Sequence, residues 1–200
     1  RAFSLYFSDI FSELPDQFSI LAFSQLYAWK FAFEETEYFM KIFILNPSAT
    51  VAKNVVRDVL YGCWCSGKRI GGGTVPPFAL LQVATVLQQD GHDIDFMDAQ
   101  AEQISMNLLT PKAPEYQMLI ISTSTMTFEE DAQILSAFKR ENPRLITVVF
   151  GSHPTFLPQA TLSREGVDIA VRHEPEYIIR DLARLIRDGK EWRYASGIAF

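Results

Sequence analysis

One segment of the chain, residues 61–73 (YGCWCSGKRIGGG), contains residue types that support two kinds of chemistry. Cys63 and Cys65 carry thiols, which bind metals or take part in redox reactions. Gly62 opens the spacing Gly-x-x-x-x-Gly-Lys, which is typical of a phosphate-binding loop. The segment is therefore the first candidate site in the sequence.

The surrounding residues complete neither site. Arg69 stands where a phosphate-binding loop requires Ser or Thr to hold magnesium, and three glycines follow where a helix should begin. A zinc site needs about four ligands, and an iron–sulfur cluster needs more cysteines than the two in this chain. Cys63 and Cys65 are left either as ordinary loop residues or as redox or partner contacts. Lys68 and Arg69 are left as contacts for an anionic group.

The elements that would position a site alternate along the chain from residue 40 onward. Apolar, β-forming runs predict strands at residues 41–45, 93–98, 116–122, 144–151 and 167–171. Helical spacing and capping residues predict helices at residues 76–91, 101–109, 128–142, 158–166 and 174–190. This alternation indicates an α/β fold with a parallel sheet and helices on both faces.

Small hydroxyl residues, glycine and proline are concentrated directly after the predicted strands. Ligands of open parallel sheets bind outside the carboxyl ends of the strands, so the loops there are candidate ligand contacts. The candidates are Asn46, Pro47 and Ser48 after the first strand, Ser122, Thr123, Ser124 and Thr125 after the third, Gly151, Ser152, His153 and Pro154 after the fourth, and Glu174 after the fifth. Each loop alone has an ordinary interpretation as a turn or cap, but their repetition along one edge favours a binding site.

Composition limits the possible partners and compartments. The net charge of −6 disfavours a nucleic-acid partner, which needs a basic face. Two cysteines cannot form a disulfide framework, so we expect a reducing, cytoplasmic location. No apolar run is long enough for a membrane span. Residues 1–39 hold eight of the sixteen Phe and no Gly, which predicts a separate N-terminal segment, either an added helical region or a stretch foreign to the native domain.

The ordered series of motifs resembles the N-terminal cobalamin-binding domain of cobalamin-dependent radical S-adenosylmethionine enzymes. The motifs are Pro-Pro at 76–77, Gly-His at 91–92, Asp-Ala at 98–99, the Ser/Thr-rich loop at 122–125, Gly-Ser-His-Pro at 151–154 and Glu-Pro-Glu at 174–176. The resemblance covers roughly residues 41–200. No single motif is diagnostic, but their order is fairly specific to that family.

The resemblance implies a flavodoxin-like (Rossmann-like) five-stranded parallel sheet of order 2-1-3-4-5, with the corrin over the carboxyl ends of the strands. It implies that residues 122–125 contact the corrin or its nucleotide tail. It implies that Gly151 and Ser152 leave room for the tail, and that His153 and Pro154 lie near the corrin rim.

Two departures from related proteins define the expected function. Residues 41–91 contain no histidine, so the loop after the first strand cannot supply the imidazole that binds cobalt in other cobalamin carriers. The three-cysteine motif that holds a [4Fe-4S] cluster is also absent. We therefore expect residues 40–200 to be the cobalamin domain of a longer methyltransferase, joined to a C-terminal radical S-adenosylmethionine domain through the strand-like residues 195–200.

This expectation assigns no catalytic residue and no metal ligand to the chain. Two alternatives remain open at this point. One is a non-catalytic corrinoid carrier or sensor, and the other is a nucleotide- or flavin-binding α/β domain.

Overall fold

A computed structural model describes residues 39–50, residue 57 and residues 76–200. Cys63, Cys65 and the Gly-x-x-x-x-Gly-Lys spacing lie outside the described residues. Phe39–Phe200 form one compact unit. The assignment of residues 1–39 to a separate N-terminal segment, either an added helical region or a stretch foreign to the native domain, stays a prediction.

A single sheet forms the centre of this unit. Its strands are β1 (Lys41–Asn46), β2 (Asp93–Asp98), β3 (Met118–Ser122), β4 (Ile146–Phe150), β5 (Ile169–Val171) and β6 (Ile198–Ala199). The strand order is β2-β1-β3-β4-β5-β6. Strands β1 to β5 pair in parallel, which confirms the predicted flavodoxin-like order, and β6 adds a short antiparallel strand beside β5.

Helices cover both faces of the sheet. They are α1 (Phe78–Gln89), α2 (Met106–Leu109), α3 (Phe128–Glu141), α4 (Ser152–Phe156), α5 (Pro158–Leu162) and α6 (Pro175–Arg187). Helices α1 and α6 pack on one face, and α3 packs on the other beside a 3-10 helix at Thr110–Glu115. In the ranges that the structure describes, no helix is long and apolar enough to cross a bilayer.

Burial on both faces explains the continuous apolar strands. Along β1, Ile42 and Ile44 enter the core beneath α1 and α6, whereas Phe43 and Leu45 enter the core beneath α3. Successive side chains of a strand point to opposite faces, so a strand covered on both sides must be apolar throughout.

Two local differences from the predicted elements have physical causes. The helix predicted over residues 101–109 begins only at Met106, because the Asp98 carboxylate accepts the Ala101 N–H in a turn and Gln103 has a positive φ of 58°. The short helix α4 was not predicted, because Gly151 and the following Ser-His-Pro are typical of a turn.

The amino end of the sheet holds His92, which is almost fully buried between α1 and β2. Its ring nitrogens have no hydrogen-bond partner in the described part of the chain, and the Asp90 carboxylate lies 3.7 Å from Nε2. Burial lowers the pKa of the His92 imidazole below its usual value. The folded protein therefore holds this ring in its neutral form.

We predict that the free energy of unfolding falls as the pH is lowered through the unfolded-state pKa of histidine, about 6.5. The unfolded chain takes up a proton before folded His92 does, so acid favours unfolding until the folded imidazole is protonated too. His92→Gln should reduce the stability loss between about pH 7.5 and about pH 5.5 by roughly 1 kcal/mol. Urea unfolding at the two pH values measures this difference. An unchanged pH dependence in the variant would contradict the prediction.

Candidate functional site

The register of the parallel strands brings the predicted loops to one edge of the sheet. Asn46 at the end of β1 pairs with Asp98 at the end of β2, and Ser122 at the end of β3 pairs with Phe150 at the end of β4. The loops that follow these strands therefore start at neighbouring positions. We call this side of the sheet the carboxyl edge.

The loops after β3 and β4 meet at Gly151. The Thr123 N–H donates to the Phe150 carbonyl at 2.8 Å, which extends the strand pairing by one residue. Gly151 has φ 120° and ψ −163°, a conformation open only to glycine. A Cβ at this position would lie 2.3 Å from the Thr123 carbonyl oxygen. Glycine is therefore required for the close approach of the two loops.

The hydroxyl-rich loop after β3 is mostly buried. The Thr123 hydroxyl donates to Asp131 Oδ2 at 2.7 Å, and the Ser124 hydroxyl lies 3.2 Å from that of Thr127. Of the predicted residues in this loop, only Thr125 is exposed, while Ser122, Thr123 and Ser124 form its buried floor. The sequence located this loop correctly at the edge, but its hydroxyls are largely engaged within the protein.

His153 is the second residue of α4 and is 7% exposed. Its ring stacks on Phe128 with the ring centroids 4.0 Å apart, and its Nδ1 lies 3.3 Å from the Thr125 hydroxyl. Nε2 is buried and has no hydrogen-bond partner among the residues that the structure describes. Burial lowers the pKa of this imidazole, so at neutral pH the ring is uncharged. Ser152 is half-buried and Pro154 buried on either side of it.

The loop after β1 is fixed by side-chain hydrogen bonds to the loop after β2. Asn46 Nδ2 donates to Asp98 Oδ1 at 2.8 Å, and the Ser48 hydroxyl donates to the Ile104 carbonyl at 3.0 Å. Pro47, between them, is buried. The three predicted residues of this loop thus lie at the carboxyl edge, with Asn46 part of its floor.

Arg57 and Asp131 were missed by the sequence reasoning. The Arg57 guanidinium donates to both carboxylate oxygens of Asp131, at 3.2 and 2.8 Å, and both side chains are buried. Asp131 lies on the apolar stripe of α3 with Phe128, Ala132 and Leu135. An acid at an apolar position of a helix was the available signal that it needs a buried partner.

The loop after β5 is attached to α4. The His173 N–H donates to the Thr155 hydroxyl at 3.1 Å, and His173 has a positive φ of 66°. Glu174 precedes α6 at its N-terminus, is exposed and makes no side-chain capping bond. Its carboxylate therefore faces solvent at the edge.

Exposed apolar side chains surround the carboxyl edge. They lie at the start of α1, after β3, at the end of α4 and in the first turn of α6: Phe78, Met126, Phe156, Leu157 and Tyr177. We call these five residues the apolar rim. A separate cleft of about 900 Å³, to which none of the rim residues contributes, opens between the loops after β1 and β2 and helix α3, lined in part by Ser48, Gln100 and Ile104. Such a volume is in the range of small-molecule sites.

The described residues contain no group of three or more His, Cys, Asp or Glu side chains placed to hold a metal ion. At the carboxyl edge these described residues instead offer an apolar margin, a floor of largely satisfied polar groups and the buried His153 Nε2, which has no hydrogen-bond partner among them. That combination suits a large, flat ligand with polar substituents.

Comparison with known proteins gives a family match. The family model of the B12 binding domain matches residues 71–183. The chain is 28% identical over 166 residues to the anaerobic magnesium-protoporphyrin IX monomethyl ester cyclase of Synechocystis sp., which covers 80% of this chain and 30% of the cyclase. It is 26% identical over 136 residues to the uncharacterized methyltransferase PH0819 of Pyrococcus horikoshii, covering 66% and 29%. The chain thus spans less than a third of the length of these relatives.

A solved structure shares the fold. The radical S-adenosylmethionine methyltransferase TsrM from Kitasatospora setae, with cobalamin and a [4Fe-4S] cluster bound, matches with a TM-score of 0.60 and 16% identity. The match covers 80% of this chain and 28% of TsrM. At this identity the likeness shows the arrangement of strands and helices, which agrees with the sheet described above.

We predict that Gly151→Ala destabilises the fold far more than Gly189→Ala. Both glycines have positive φ, but only at Gly151 does the added Cβ meet a backbone oxygen, whereas nothing lies within 4 Å at Gly189. Gly189→Ala should cost about 1 kcal/mol from backbone strain alone, and Gly151→Ala at least about 3 kcal/mol. Urea unfolding of the two variants gives the comparison. Equal losses would show that the two loops do not approach as described.

Proposed function

Because the chain belongs to the B12 binding domain family, we propose that it holds cobalamin over the carboxyl edge as the cofactor domain of a longer radical S-adenosylmethionine methyltransferase. The family match confirms the resemblance drawn from the motifs. Two findings support the wider proposal: the chain covers less than a third of its relatives, and one of them is named as a methyltransferase. S-adenosylmethionine and the [4Fe-4S] cluster would belong to a C-terminal domain of the full protein.

The apolar rim is the observation that carries the proposal. Phe156 is 80% exposed, and the other four rim residues are also exposed, at the same edge where open parallel sheets bind ligands. A corrin ring has two broad apolar faces, and laying one on this edge would remove several of these side chains from water. Each well-covered side chain would contribute roughly 1.5–3 kcal/mol to binding.

Polar groups of the edge suit the cofactor's amide and nucleotide substituents. Thr125 is exposed, so its hydroxyl is open to such substituents, whereas His153 Nε2, which has no partner in the described ranges, is buried and would have to be uncovered before it could accept or donate a bond to one. Gly151 lets the loops after β3 and β4 meet closely, since a Cβ there would lie 2.3 Å from the Thr123 carbonyl oxygen, and we place the nucleotide tail beside these two loops. We assign the contacts to Asn46, Pro47 and Ser48, to Ser122, Thr123, Ser124 and Thr125, to Gly151, Ser152, His153 and Pro154, and to Glu174.

When bound, cobalamin supplies a cobalt centre that transfers methyl groups. The chain's own residues would bind and orient the ring and exclude water from the face that rests on the edge. The loop after β1 has no histidine, so it supplies no imidazole to the metal. The chemistry that starts from S-adenosylmethionine would be carried out by residues outside this chain.

Cobalamin binding is tested directly with the purified protein. After incubation with hydroxocobalamin and desalting, we expect the visible spectrum to show retained corrin bands at about one equivalent per chain. Retention of a flavin and no corrin would instead favour the nucleotide- or flavin-binding alternative. The coding sequence after Phe200 separates an enzyme from a carrier: a Cys-x-x-x-Cys-x-x-Cys motif supports the radical enzyme, and a stop codon there contradicts it.

The rim is tested by a matched pair of substitutions. We predict that Phe156→Ser weakens hydroxocobalamin binding by roughly tenfold to a hundredfold, since one large apolar contact is lost. Phe39→Ser makes the same change at the amino end of the sheet, where Phe39 is 48% exposed, and should change the affinity by less than about twofold. Titration followed by the corrin spectrum measures both dissociation constants. Equal affinities of the two variants would place the corrin away from the rim.

A further inference from the structure

The buried guanidinium of Arg57 links three parts of the chain, one at the end of or after each of the strands β1, β2 and β3. Besides the two bonds to Asp131, its Nη1 donates to Gln100 Oε1 at 3.1 Å and to Asn46 Oδ1 at 3.4 Å. Asn46 ends β1, Gln100 follows β2, and Asp131 lies in the first turn of the helix that follows β3. The side chain of Arg57 is 2% exposed.

The hydrogen-bonded connection continues from Asp131, through the loop after β3, to the loop after β4. Asp131 Oδ2 accepts the Thr123 hydroxyl at 2.7 Å, and the Thr123 carbonyl is the group against which Gly151 packs. A change in the position of the Asp131 carboxylate would therefore move the loop after β3, and with it the contact to the loop after β4. These are the loops to which the proposed cofactor contacts belong.

Stability alone does not account for such a pair. Removing two charges from water is costly, and well-packed apolar residues often replace a buried ion pair with no loss of stability. The planar guanidinium, in contrast, fixes the directions of several hydrogen bonds at once. The role of this ion pair is therefore geometric: it fixes the positions of the groups that hydrogen-bond to it.

We infer that Arg57 and Asp131 are positioning residues for the cobalamin-binding edge, holding the loops after β1, β2 and β3 in register with one another. This inference rests on the proposed function. Every hydrogen bond described for Arg57 goes to a protein oxygen, so it acts through those loops and not by contact with the ligand.

The test separates positioning from stability with an apolar double variant. Arg57→Met alone leaves a buried carboxylate unpaired, so it should both destabilise the fold and weaken hydroxocobalamin binding. Arg57→Met combined with Asp131→Leu removes both charges. We expect the double variant to regain most of the urea midpoint of the wild type and still bind hydroxocobalamin at least about tenfold more weakly, because the links to Asn46, Gln100 and Thr123 are gone.

Two further variants complete the experiment. Arg57→Lys keeps the charge without the planar fork, and should be stable with intermediate affinity. The control, Arg184→Met, breaks the ion pair with Asp90 at the opposite end of the fold, and should leave the affinity within about twofold of the wild type.

Amide hydrogen exchange without cobalamin gives a readout that does not depend on the cofactor. Residues 46–48 and 122–127 should exchange faster in the double variant than in the wild type, while the strand residues of β4 remain unchanged. Wild-type affinity or unchanged exchange in the folded double variant would overturn the positioning role. Failure of the wild type itself to bind cobalamin would overturn the proposed function instead.

Discussion

The order of the carboxyl edge depends on the pairing of one buried carboxylate, that of Asp131. An unpaired charge in this position would be strongly unfavourable, so the first turn of α3 can pack against the sheet only with donors on both carboxylate oxygens. Arg57 supplies two of these donors and Thr123 a third. The polar requirement of a single side chain thus decides how three separate parts of the chain meet, and the Asp131 carboxylate is satisfied where α3 packs over the apolar core.

Much of the fold follows from features that are local in sequence. The apolar runs of β1, β3 and β4 are long enough to require cover on both faces. Two of the helices, α3 and α6, begin with acids and end with bases, as α3 does with Glu129 and Arg140. Such features predicted a parallel sheet, and the resemblance to cobalamin-binding domains implied its strand order. Strand ends were less well predicted: the fifth strand extends over Ile169–Val171 only, because pairing partners, and not residue type, decide where a ladder stops.

The site was predictable to the level of loops but not of individual contacts. The sequence placed Gly151 and the hydroxyls after β3 at the carboxyl edge, where the structure also has them, because residues after parallel strands must gather there. The sequence could not predict that the Thr123 hydroxyl points into the protein, since its direction depends on a carboxylate eight residues away on a helix. The partner of Asp131 could be predicted even less, because Arg57 is separated from it by 74 residues and no local pattern links them.

The antiparallel direction of β6 has a consequence for the route of the polypeptide. Ile198 pairs with Val171 and Ala199 with Ala170, so the chain at Phe200 is travelling towards the amino end of the sheet, away from the rim. A segment that continued from there could cover the carboxyl edge only if it first reversed its direction and returned along the sheet. Since Ala199 pairs with Ala170, Phe200 lies only about two residues, roughly 7 Å at about 3.3 Å per extended residue, from the carboxyl end of β5, so the return needs a turn and about two extended residues. Any such segment must therefore begin with a turn before it can close over the candidate site.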